Sequence, residues 1–231
     1  MNTPTLRHQR GAAPRILLIV LAVLGGVGAY FGQDIWGLWN FKLALDEEAA
    51  VAQARGGAQM RDLAQACAGC HGIDGAGIHQ YYPRLAGQPA GYLAEQLKQF
   101  ASGGRRNPIM EPLAAGMSEA QIAKLADYFA ASKPRPNEPV DLGHAERVRG
   151  AQLAAACTAC HGAALQGGSF ASASGAVLTA RLSGQARDYL LRQLQAFKSG
   201  ERNDASGAMR EVAKSLADSD AQVLAKYLST L

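Results

Sequence analysis

Two stretches decide how this chain is read: Cys67-Ala68-Gly69-Cys70-His71-Gly72 and Cys157-Thr158-Ala159-Cys160-His161-Gly162. They hold all four cysteines of a 231-residue chain, and the likeness between them continues downstream. Pro83-Arg84-Leu85-Ala86-Gly87-Gln88 returns as Ala180-Arg181-Leu182-Ser183-Gly184-Gln185. Tyr92-Leu93, Gln96-Leu97 and Phe100 return as Tyr189-Leu190, Gln193-Leu194 and Phe197, and Met110 returns as Met209. The offset between copies is 90 at the cysteines, 97 at Arg84 and Arg181, and 99 at the methionines. Seven extra residues therefore lie between His161 and Arg181, in the Gly/Ser/Ala-rich stretch 166–176. The period is too long, and the copies too few, for a solenoid. The chain carries two copies of one module.

The boundary between the copies is equally legible. Lys133-Pro134-Arg135-Pro136-Asn137-Glu138-Pro139 holds three prolines in seven residues and cannot continue a helix. It makes 134–139 a linker between a module at 57–133 and one at 140–231. Within each module the periodicity is helical. Leu93, Leu97 and Phe100 share a face, as do Leu190, Leu194 and Phe197, and Ile122, Leu125 and Phe129 form another. Ser118 and Gln121 make a capping box, for which Asp218 is the substitute in the second copy. The alanine-rich segments 58–66 and 145–156 read as helices. With no strand alternation in either module, the predicted fold class is all-α. Modules of about 80–90 residues bury little core unaided, so a cofactor is expected at the centre of each.

The spacing names that cofactor. Cys-x-x-Cys-His in an exported chain is the attachment signature of c-type haem: two thiols form thioethers with the vinyl groups and the adjacent imidazole reaches the iron. A thioredoxin-like pair would need a βαβ context. A zinc site would leave both histidines unexplained. Two covalent haems are expected, on Cys67 and Cys70 and on Cys157 and Cys160, with His71 and His161 as iron ligands. The second axial ligand must come from elsewhere in each module. Met110 and Met209 occupy matching positions in a chain with only five methionines; Met117 is the competitor in the first module. A thioether favours ferrous iron and raises the potential relative to two histidines. His79 and His144 have no counterparts and read as surface residues.

Arg84 and Arg181 recur at matching positions, suited either to a haem propionate or to a loop carbonyl. Pro83 is expected to fix the loop whose carbonyl orients the proximal imidazole. Ala180 stands in its place in the second copy, where a less rigid loop is expected.

Residues 1–15 form a basic leader, and residues 1–33 carry three arginines and no acid. Residues 34–231 are close to neutral, with 20 basic and 19 acidic side chains. No basic patch suits nucleic acid, and the composition excludes a disordered tail protein. Ile16 to Gly32 is uncharged and would span roughly 25 Å as a helix. Tyr30, Trp36 and Trp39 follow as an interfacial belt. This reads as a transmembrane anchor at 16–32 with a tether at 33–56; a cleaved signal peptide is the rival. Either one exports the remainder. Gly28-x-x-x-Gly32 also suits packing against a helix of a partner subunit.

The duplicated Cys-x-x-Cys-His-Gly, the Arg-Leu-x-Gly-Gln loop, Tyr-Leu-x-x-Gln-Leu-x-x-Phe and the later methionine resemble the dihaem cytochrome c4 family of class I c-type cytochromes, over residues 57–231. The resemblance implies two tandem cytochrome c domains with their haems close together. It also implies non-catalytic electron transfer in a bacterial respiratory chain, between donors such as a quinol:cytochrome c reductase and acceptors such as a haem-copper oxidase. The expected location is the inner membrane, with the haem domains in the periplasm. The alternative is a cytochrome subunit docked in an oxidase or dehydrogenase complex. A dihaem peroxidase, which needs an open iron position, fits two matched methionines poorly.

Overall fold

The computed structural model describes Val20, Leu21 and residues 58–137, 139–172 and 175–231. The anchor expected at 16–32 lies outside the described residues apart from Val20 and Leu21, which are helical, and the tether lies wholly outside them. Among the described residues no helix is long and apolar enough to cross a membrane.

The first module runs α1 (Ala58–His71), a 3-10 turn (Ile73–Gly75), α2 (Ala90–Ala101), α3 (Met110–Ala115) and α4 (Glu119–Ala131). The second runs α5 (His144–Ala155), α6 (Thr158–His161), strands β1 (Gly168–Ser172) and β2 (Gly175–Thr179), α7 (Arg187–Ser199), α8 (Ala208–Ser215) and α9 (Asp218–Leu228). The apolar faces read from the periodicity are the faces that pack. Leu93 of α2 meets Leu125 and Phe129 of α4 and Ala64 of α1 in one core; Leu190 of α7 meets Leu224 and Leu228 of α9 and Ala154 of α5 in the other. Leu125, Leu224 and Leu228 are the largest side chains sealed from solvent. Truncating any of them to alanine costs about 2–5 kcal/mol.

α4 starts as its sequence dictates. The Ser118 side chain accepts the Gln121 N–H while the Gln121 side chain accepts the Ser118 N–H. The second copy departs from expectation: the N-cap of α9 is Ala217, and Asp218 lies inside the first turn, paired with Lys198 at 2.8 Å. In the second module α5 and α9 cross closely at Gly150. A Cβ there would lie 2.4 Å from the Cβ of Tyr227, so only glycine permits this approach.

The all-α expectation needs one correction. The seven extra residues build an antiparallel hairpin, with Phe170 opposite Val177 and Ser169 opposite Leu178. Its strands are short and rich in small residues, so the period-2 signal is too weak to read. Two short helices, α3 and α8, also escaped the periodicity. Each carries its module's candidate methionine in its first turn.

The linker is not a free spacer. Asn137 donates to the carbonyls of Gly184 and Ser229, at 2.9 and 2.6 Å, fastening it to the second module. Pro134 fills the space beside Gly87, where a Cβ would lie 2.5 Å from the proline ring.

Candidate functional site

Each site grows from the end of a helix. α1 runs through Cys67 and Cys70 to His71; in the second module α6 ends on His161, directly after Cys157 and Cys160. A spacing of three residues on a helix places both thiols on one side. None of the four cysteines is in a disulfide, and all are partly buried. Burial, and secondarily the charge of the neighbouring thiol, pushes the Cys67 and Cys157 thiols above the ordinary cysteine value.

The chain then reverses at glycines held at positive φ. Gly72 and Gly162 follow the histidines, and the N–H groups of Gly77 and Gly167 return to the carbonyls of His71 and His161, at 2.7 and 2.8 Å. This reversal brings back the segment that orients the imidazoles. His71 Nδ1 lies 2.8 Å from the Pro83 carbonyl oxygen and His161 Nδ1 2.7 Å from that of Ala180. A carbonyl only accepts, so each Nδ1 carries the proton and each Nε2 presents its lone pair. Both rings are buried. Burial lowers both imidazole pKa values, and the carbonyl contact opposes this only in part, which keeps the rings neutral and fit to ligate metal.

The carbonyl role expected of Pro83 is thus present, and Ala180 fills it equally well. Without a proline ring, the second loop is held by contacts from the hairpin. Thr179 Oγ1 donates to the Cys160 carbonyl at 3.1 Å, and Gly167 passes so close that a Cβ would lie 2.4 Å from the Ala180 carbonyl carbon.

Met110 and Met209 are both half-buried, with their N–H groups held by side-chain oxygens of Asn107 and Asp204, at 3.0 and 3.2 Å. Met117 instead packs against the first core, as Leu216 does against the second. Arg84 donates to the Arg135 carbonyl; Arg181 donates to the Ser183 carbonyl at 3.0 Å and to Gln166 at 2.5 Å. Both guanidinium groups thereby hold loop carbonyls, and partial burial draws both pKa values below the ordinary arginine value. His79 and His144 are exposed.

Sequence reasoning marked several further residues only as elements of a repeat. They join the modules across an approximate two-fold axis. The Gln88 amide donates to the Arg181 carbonyl and accepts its N–H, both at 2.9 Å. In mirror fashion the Gln185 amide donates to the Arg84 carbonyl at 2.9 Å and accepts its N–H at 2.7 Å. Beside this pair, Arg105 donates to Tyr189 and Gln193, and Arg202 to Tyr92 and Gln96. The carbonyl oxygens of Gln96 and Gln193 each accept from both arginines. Each guanidinium also covers a phenylalanine of its own module, at 4.6 Å over Phe100 and 4.5 Å over Phe197. Burial raises the Tyr189 pKa, yet the charges of Arg105 and Arg202 outweigh it and the net shift is downward. The detectable signal was repetition itself: polar residues recurring at one offset on both copies.

Comparison with known proteins agrees with this construction. The cytochrome c family model matches residues 54–133 and again 148–231. A thiosulfate dehydrogenase electron acceptor of Stutzerimonas stutzeri is 36% identical over 203 residues, spanning 82% of this chain and 90% of that protein. Cytochrome c4 of Azotobacter vinelandii is 32% identical over 185 residues, spanning 73% and 85%. Reduced recombinant cytochrome c4 from Pseudomonas stutzeri superposes with a TM-score of 0.65 at 26% identity, over 75% of this chain and 97% of that one. The chemistry of the donor set fits haem in both modules: unbridged thiol pairs, each followed by a neutral imidazole with its Nε2 lone pair free of the backbone contact. The chain belongs to the cytochrome c family and, within it, to the dihaem cytochrome c4-like electron carriers, with one haem c bound covalently in each of its two domains.

Proposed function

We propose that this carrier takes electrons from a dehydrogenase on the outer side of the cytoplasmic membrane and passes them to a membrane-bound terminal oxidase. His71 and Met110 ligate one iron, and His161 and Met209 the other. The observation that carries the ligation is the matched pair of imidazoles held through Nδ1 at 2.8 and 2.7 Å. Haem, when bound, supplies reversible one-electron chemistry at iron. The residues of the chain fix the imidazole tautomer, exclude solvent from the rings and hold the two modules in one register. Met110 and Met209 are favoured by their matched positions at helix starts and by Met117 being spent on core packing. Arg84 and Arg181, already tied to loop carbonyls, stand as the groups that would meet propionates.

A dehydrogenase as donor is supported by the S. stutzeri relative, whose name is that of an electron acceptor for thiosulfate dehydrogenase. Residues 16–32 anchor the protein, and the tether raises its effective concentration near membrane partners. The second reading is a subunit fixed in a dehydrogenase or oxidase complex, which the glycine spacing of the anchor favours. Native purification from membranes in mild detergent tests these proposals together. The carrier reading expects a full-length N-terminus and two haems in the intact mass, free of a stoichiometric partner. A mature N-terminus at Tyr30 removes the anchor, and a partner at fixed ratio establishes the subunit.

A further inference from the structure

The seam between the modules is nearly symmetric, but the loops leading from the cysteine pairs to the imidazole-orienting carbonyls cross it differently. α7 begins after Ala186, whose side chain offers no cap, so the N–H groups of its first turn need acceptors from elsewhere. One residue of the other module supplies two. Gln80 Oε1 accepts the Arg187 N–H at 2.9 Å, and the Gln80 carbonyl accepts the Tyr189 N–H at 3.0 Å. The adjacent residue is held as well. Arg192, farther along α7, lies with its guanidinium 4.8 Å from the centre of the Tyr81 ring and donates to the Tyr81 carbonyl. Tyr82 comes next, edge-on to the His71 ring at 6.2 Å, and Pro83 then accepts from His71. Residues 80–83 thus run from a helix of the second module at one end to an imidazole of the first at the other.

Among the described residues the second module shows no copy of this arrangement. The hairpin occupies the corresponding stretch, and among the described residues it makes an apolar contact across the seam: Leu178 rests on α2 at Gly91, where a Cβ would lie 3.3 Å from a leucine methyl. The hairpin is braced within its own module, through Thr179 to the Cys160 carbonyl. The Pro83–Arg84 and Ala180–Arg181 peptides are each tied across the seam, by Gln185 and Gln88. Beyond that shared tie, the segment leading to Pro83 has a further bond to the other module at Gln80, whereas the segment leading to Ala180 is braced by Thr179 within its own.

We propose that Gln80 is a positioning residue for His71: by capping α7 across the seam it holds residues 80–83 in place, so the second module sets the electron affinity of the first haem. The inference rests on His71 being the iron ligand of that haem. The hydrogen bond at one imidazole nitrogen tunes the donor strength of the other and, through it, the iron potential. Slackening the Pro83 carbonyl shifts the first haem and leaves the second where it was.

The test compares Gln80→Met, which keeps side-chain length and removes the acceptor, with Leu178→Ala on the mirror contact, both in the full dihaem protein. Voltammetry reads the two potentials. Haem-methyl resonances, assigned to a module by their response to Met110→Ala or Met209→Ala, show which haem moves. Amide exchange reads the cap, whose loss is worth about a fivefold faster opening. Gln80→Met is expected to speed exchange at Arg187 about fivefold and to shift the first haem alone; Leu178→Ala is expected to leave the first haem unchanged. Faster exchange with neither potential moved makes Gln80 a helix cap only and overturns the proposal. So does an equal shift of both haems, the mark of general loosening, or exchange that does not change. Failure of the ligand assignment itself is separately visible, as absence of histidine–methionine spectra from the unmodified protein.

Discussion

Gln88 and Gln185 do the same work on opposite sides of the seam, yet alanine at the two positions is expected to cost different amounts. Gln88→Ala removes two hydrogen bonds and leaves the N–H and carbonyl of Arg181 without those partners. Each bond contributes about 1 kcal/mol net, and a stranded half-buried group adds to this, so the loss is about 2–3 kcal/mol. Gln185→Ala removes the matching pair to Arg84 and one bond more, because Gln185 Oε1 also accepts the Ala186 N–H at 2.9 Å. Gln88 has no such third bond, since the residue after it is Pro89, which lacks an N–H. Gln185→Ala is therefore expected to cost about 1 kcal/mol more than Gln88→Ala. Denaturant unfolding of the haem-loaded protein measures both, followed by circular dichroism and by haem absorbance, with the denaturant slope unchanged where only stability has moved. Equal losses, or losses below about 0.5 kcal/mol, the size of an ordinary surface change, would refute the argument.

Met110→Ala and Met209→Ala are each expected to remove about half of the weak near-infrared band of methionine-ligated haem. Met117→Ala should leave that band intact and lower stability by about 2 kcal/mol through lost core packing. Arg202→Ala takes away one of the two charges that lower the Tyr189 pKa, so an ultraviolet titration should find that phenol ionising at higher pH than in the parent protein. In the second module, Arg149 holds the Asp220 carboxyl below the ordinary aspartate value, first by hydrogen bonding and then by charge. Because the folded pKa is the lower one, the pair's contribution to stability is present above about pH 3.9 and fades as the pH falls through the folded value; Arg149→Ala should raise the Asp220 pKa in an NMR titration and remove that acid dependence.

Much of this architecture was legible because it is written twice. One Cys-x-x-Cys-His motif indicates a haem, but the recurrence of Leu93, Phe100 and Met110 at nearly constant offset shows that a whole module is copied. The imidazole–carbonyl contact was accessible to reasoning because proline at 83 constrains a loop near the histidine. The hairpin was not, since Gly, Ser and Ala supply neither period nor bulk, and its strands are defined by backbone bonds to each other. The seam failed for another reason. Gln88, Gln96 and Tyr92 look like ordinary polar positions on a helical module, and the physics that makes them matter lies in a second copy that no single helix pattern reveals. Arg105 and Arg202 went unread although they repeat, because an isolated arginine pair ordinarily signals solvent exposure. Gln80 has no repeat partner and left no trace at all.

The reciprocity of the seam reaches beyond this one chain. Gln88 bonds the backbone of the second module's Arg181, and the residue equivalent to Arg181 in the first module is Arg84; Arg105 likewise meets counterparts of Tyr92 and Gln96. A first module alone thus carries both halves of a self-complementary surface, the kind that pairs identical subunits about a dyad. In a tandem chain the two halves need not be identical. One carries Gln80 and the other a hairpin, an inequality that two identical subunits could not encode.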